Sequence, residues 1–217
     1  MSKEKINSFL NEKKGEHLDQ VTEIAIADME ILNEILQGLK SKNEIFRYNC
    51  HKVIFQISKT HSQLLYSKWD YFFDLLESSN AYHRMSAINI ISHLTYADTG
   101  KKFDLAFDWY FQFLDDKSMI VARYLALSAG IIAKNKPYLS EKIIERLLEI
   151  ENTHHEEERK GLIKHDIIQS FSVLFDQMAE KEKIISFVEK QLNSSSPKTR
   201  KAAKTFLNKF KKSNRVK

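Results

Sequence analysis

The chain has 217 residues, a hydrophobic fraction of 42%, a charged fraction of 29% and a formal net charge of +5. That balance excludes a disordered polyampholyte and leaves room for a substantial interior. Two prolines and five glycines are too few for a hairpin-rich β fold or a Gly-rich phosphate loop, and a lone Cys50 excludes an internal disulfide.

Taken in chain order, residues 1–17 are highly charged, with Ile6, Phe9 and Leu10 at helical spacing. No secretory h-region is visible there, so a short lid helix in a cytoplasmic protein is expected. Amphipathic runs follow at 21–39, 67–79, 101–114, 140–151 and 181–192. Each precedes a second run anchored on a basic residue: Arg47, Arg84, Arg123, Lys164 and Arg200, spaced 37, 39, 41 and 36 residues apart. Three residues after the anchors stand Cys50, Ala87, Ala126, Ile167 and Ala203. Seven after stand Ile54, Ile91, Gly130, Phe171 and Leu207, and ten after stand Ile57, Leu94, Ala133, Leu174 and Phe210. On a helix these offsets form one stripe, which predicts a buried seam. Asn43, Asn80 and Ser196, four before their anchors, have the chemistry of N-caps, and Pro197 suits a first helical turn.

Helix pairs of this length bury their faces by stacking, so the fold expected is an all-α solenoid of about five pairs. The runs "NEIFRYNCHKVI", "NAYHRMSAINII" and "SPKTRKAAKTFL", each with a basic residue near the start of the second helix, resemble HEAT repeats. That resemblance covers roughly residues 20–212 and implies a right-handed superhelix in one domain, with units at about 18–60, 61–97, 99–135, 137–178 and 179–212 and a basic tail at 213–217. It also implies a binding scaffold. The fourth unit departs from the pattern in its charged turn "NTHHEEERKG". A more distant resemblance is to the HEAT-like alkylpurine DNA glycosylases. Their paired tryptophans and aspartate have no counterpart in Trp69-Asp70 or Asp108-Trp109-Tyr110, so no catalytic residue is carried over.

The anchor stems border the buried stripe, and their charged heads are expected to reach a neighbouring turn as a structural ladder. Offsets one and five should face away from the core. They contribute Tyr48, Met85, Tyr124 and His165, and Lys52, Asn89, Ser128 and Gln169. This uncharged, aromatic middle suits a protein or peptide partner on the inner curve better than a phosphate backbone.

Residues 196–217 hold nine basic groups and no acid, which leaves 25 basic against 29 acidic residues in the rest. Lys198, Lys201, Lys204, Lys209, Lys211 and Lys212 are read first as the solvated end of the stack. The alternative is a weak hand for nucleic acid or an acidic protein. His154 and His155 beside three glutamates offer no expected metal site, because adjacent helical positions diverge by about 100°. No cofactor, catalytic residue or membrane span is expected. The function read from the sequence is a non-enzymatic protein-interaction scaffold, with a nucleic-acid-binding protein related to DNA alkylation repair as the alternative.

Overall fold

The computed structural model describes residues 1–177 and 181–213, and all regular structure among them is helical. Their contacts divide into two compact units, Met1–Thr99 and Gly100–Lys217. The division falls between the second and third sequence repeats.

The first unit contains α1 (Lys3–Leu10), α2 (Leu18–Ala27), α3 (Met29–Gly38), α4 (Glu44–Thr60), α5 (Ser62–Tyr66), α6 (Trp69–Leu76) and α7 (Ala81–Leu94). Helix α1 buries Ile6 and Leu10 and packs on α2 and α4. Carbonyls at a helix C-terminus lack helical donors. The N–H groups of Asn11 and Glu12 serve those of Asn7, Ser8 and Phe9, and the buried Asn49 of α4 donates to Leu10 O at 3.0 Å and to Glu12 O, just beyond the helix, at 2.8 Å.

The single first helix expected over 21–39 is broken in two. Asp28 adopts an extended backbone, and its Oδ1 accepts from the N–H groups of Glu30 at 2.9 Å and Ile31 at 3.3 Å. A short carboxylate that satisfies two backbone donors stops one helix and caps the next. The second repeat likewise has an additional short helix, α5, before α6. Both repeats of this unit therefore have three helices where the HEAT resemblance implied two.

The second unit contains α8 (Lys102–Phe111), α9 (Met119–Asn135), α10 (Ser140–Leu148), α11 (Glu157–Leu174), α12 (Glu182–Lys190) and α13 (Pro197–Ser213). The helices α8, α10 and α12 each tighten into a 3₁₀ turn, at Gln112–Asp115, Glu149–Asn152 and Gln191–Asn193. Such turns let the last carbonyls find closer donors before the chain reverses. Helix α11 lies between α9 and α13. Gly130 gives α9 its close approach to α11: a Cβ there would lie 3.1 Å from the Ser170 backbone, and Gly130 N donates to Ser170 Oγ at 3.0 Å.

All fifteen seam positions are buried. The predicted caps are in place as well. Asn43 Oδ1 accepts from Phe46 N at 3.1 Å, Asn80 Oδ1 from Tyr82 N at 2.9 Å, and Ser196 Oγ from Thr199 N at 3.4 Å.

The basic anchors differ from the expected ladder. Arg47, Arg84 and Arg200 each turn Nη1 back to a carbonyl six residues earlier: Ser41 O at 2.8 Å, Ser78 O at 2.7 Å and Ser194 O at 2.6 Å. These carbonyls belong to the turn just before the arginine's own helix, where acceptors lack helical donors. In the fourth repeat the longer turn moves this role to Lys160, which donates to Glu151 O at 3.0 Å, while Lys164 pairs with the Glu151 carboxylate at 2.8 Å. Arg123 instead reaches the next repeat with an ion pair, bonding Asp166 Oδ2 through Nε at 2.6 Å.

Candidate functional site

The N-terminal halves of α4 and α7 form a groove in the first unit. Glu44, Ile45, Arg47, Tyr48, His51, Tyr82, Met85 and Ser86 line it, and it encloses about 310 Å³. Asn43 and Asn80 start the two helices at equivalent points of successive repeats, so Tyr48 and Met85 face the groove from matching positions. Tyr48 and Tyr82 are exposed large side chains on its rim. Arg47 Cζ lies 5.6 Å from the Tyr82 ring centroid and Lys52 Nζ lies 4.6 Å from that of Tyr48, so a cation accompanies each tyrosine. His51 is buried, and its Nδ1 has no hydrogen-bond partner among the described residues. Burial lowers its pKa to about 4, which keeps the ring neutral at physiological pH.

The predicted surface row is thus partly surface and partly floor. Tyr48 and Gln169 are exposed, while Lys52, Tyr124 and His165 are partly covered. Met85 is only 5% exposed, and Asn89 and Ser128 are buried too. The expectation that these three would be accessible is corrected. A second helix inside a stack meets another second helix as well as its own first helix, as α7 meets α4 and α9 meets α11. Small or flexible side chains opposite the core stripe are then enclosed. Met85 remains in the groove, as floor rather than rim. His165 donates through Nδ1 to Asp166 Oδ1 at 2.8 Å, which ties it to the Arg123–Asp166 pair.

Sequence reasoning missed Ile45, His51, Tyr82 and Ser86 as groove residues. Tyr82 had one available signal: it lies two residues after an N-cap, where the first turn is exposed. His51 had none, because a histidine next to the buried stripe reads equally well as core.

Lys198, Lys201, Lys204 and Lys209 stand on the exposed face of α13, and none forms an ion pair among the described residues. The side chains of Lys211 and Lys212 and the tail beyond Ser213 lie outside the described residues. Trp69 is buried and stacks on Phe73 at 5.0 Å. Asp108 is exposed and bound to Arg146 at 2.7 Å and Lys142 at 3.1 Å. Both are therefore accounted for by packing and surface pairing. No helix among the described residues is long and apolar enough to cross a membrane.

No family model matches the sequence, and no curated protein matches it. A designed armadillo repeat protein is similar in structure, with a TM-score of 0.52 and 17% identity over 94% of this chain and 98% of that one. The likeness shows the fold, an all-α helical-repeat chain of the armadillo-like solenoid type.

Proposed function

We propose that this chain is a non-enzymatic protein-interaction scaffold. Its partner inserts an apolar side chain, flanked by a carboxylate, into the groove between α4 and α7. The observation that carries this reading is the groove: two exposed tyrosines over a methionine floor, the composition in which interface anchors concentrate. Arg47 and Lys52 outnumber Glu44 at its edge, which favours an acidic flank. The neutral His51 ring adds a buried nitrogen that a partner's polar group would satisfy.

Fluorescent peptides that vary in their apolar anchor and flanking charge, titrated against the full chain, test the proposal. Acidic-flanked apolar peptides bind best, and combining Tyr48→Ser with Tyr82→Ser weakens them by roughly tenfold or more. The melting temperature of that variant stays within a few degrees of the parent, because both rings are exposed. Equal binding of lysine-flanked peptides, or undiminished binding by the double variant, contradicts it.

One observation favours a second activity, weak polyanion binding. The four described lysines of α13 have no acidic partners among the described residues, and no carboxylate occurs in residues 196–217. Such binding is sequence-blind and lost by about 200 mM salt. Changing Lys201, Lys204, Lys209, Lys211 and Lys212 to Gln abolishes it while leaving stability nearly unchanged. Fluorescence anisotropy on a labelled duplex measures it, and binding that survives these substitutions contradicts this reading.

A further inference from the structure

The second unit assembles a cluster that no single repeat contains. His154 and His155 lie in the turn before α11, and Asp115 closes the 3₁₀ turn after α8, 39 and 40 residues earlier. The two histidines are not on a helix. They sit between Thr153 and Glu156, both extended, so the divergence expected of neighbouring helical positions does not apply. Their ring centroids are 4.3 Å apart. One donor atom from each of Asp115, His154 and His155 lies within 4.8 Å of the other two.

Two details make this more than a polar cluster. His155 is only 4% exposed, and its buried Nδ1 has no hydrogen-bond partner. Its Nε2 lies 3.2 Å from Leu114 O. A carbonyl oxygen only accepts, so Nε2 carries the proton and, in the neutral ring, Nδ1 presents a bare lone pair. A backbone carbonyl holding the far nitrogen is also how proteins fix the tautomer of a ligating imidazole. Asp115 already orders the second histidine, accepting from His154 N at 2.8 Å and lying 2.5 Å from His154 Nδ1.

We propose that Asp115, His154 and His155 form a binding site for a divalent transition cation of the zinc class. Two imidazoles and one carboxylate suit such ions and leave further positions to water. Ligand bonds of about 2.0–2.1 Å set tetrahedral donors roughly 3.3 Å apart, so the hydrogen-bonded Asp115–His154 pair parts to admit the ion while the more distant donors draw in. Both adjustments are side-chain movements open to the half-exposed Asp115 and His154. His155 is the fixed ligand and the other two close on it. The ion takes the place of the proton on His154 Nδ1, and the neutral ring then carries its one proton on Nε2. A cleft of about 450 Å³, lined in part by Asp115, Asn152 and Thr153, gives access to water and ion. Because the ligands come from successive repeats, the bound ion staples the turn after α8 to the turn before α11.

Isothermal titration of the tag-free full chain with Zn²⁺ tests the site, with Co²⁺ absorption as a report of nitrogen ligation. One equivalent binds, the melting temperature rises with Zn²⁺ concentration, and Co²⁺ gives a d–d spectrum. Asp115→Asn and His154→Ala, at exposed positions that leave the fold intact by circular dichroism, each weaken binding by at least ~10-fold and abolish the thermal shift. His61→Ala, at a histidine outside the cluster, changes nothing. No Zn²⁺ binding by the parent chain, or affinity equal to the parent's in both cluster variants, overturns the proposal.

Discussion

Replacing Arg123 with methionine destabilises the protein by about 3–5 kcal/mol, because it leaves a buried carboxylate without its cation. Asp166 is 2% exposed and takes two bonds from the Arg123 guanidinium, at 2.6 and 3.3 Å. His165 Nδ1, 2.8 Å from the same carboxylate, is its remaining side-chain donor. For a chain of this length the loss corresponds to a fall in melting temperature of roughly 10 °C. Adding Asp166→Leu to the variant recovers most of it, since two apolar groups in contact avoid the desolvation cost of the lone charge. Thermal melts of the two variants check both statements. A single substitution within about 0.5 kcal/mol of the parent would mean the pair contributes nothing to joining α9 and α11.

Leu94→Asp has a comparable or larger effect, for a different reason. Leu94 is fully buried at the end of the α7 seam, and a carboxylate there has no partner to replace its hydration. The cost is several kcal/mol, on the order of 4 or more. Leu105 is the control: it is equally apolar but 91% exposed on α8, and Leu105→Asp is expected to stay within about 0.5 kcal/mol. Urea denaturation followed by circular dichroism compares them. Similar midpoints for both variants would contradict the assignment of the repeat seam.

The seam was legible because it is a local property repeated five times. Offsets of three, seven and ten residues from a basic anchor describe one face of a helix, whatever that helix packs against. The caps were legible for the same reason, since Asn43, Asn80 and Ser196 act on donors two or three residues away. The anchors themselves were half read. Their buried stems follow from periodicity, but a bond six residues backward depends on how the preceding turn presents its carbonyls. The broken first helix was hidden by its apolar spacing, which continues through Asp28 although the hydrogen bonds do not.

The opposite face was less legible, since one pattern of small and polar residues serves both a free surface and a seam between helices. Tyr48 and Asn89 carry the same kind of signal, yet one is exposed and the other enclosed. The part of Asp115 beside His154 and His155 was invisible for a simpler reason. The aspartate is a full repeat away, and only the stacking of one turn on another brings it to the histidines.

The groove of the first unit is tested most directly by two-dimensional NMR of the isotope-labelled full chain, titrated with an acidic-flanked apolar peptide. Resonances of Tyr48, His51, Tyr82 and Met85 shift together and saturate with one equivalent, while those of α1 and α13 stay in place. Shifts confined to the α13 lysines, or spread without saturation over both units, would contradict a binding site between α4 and α7.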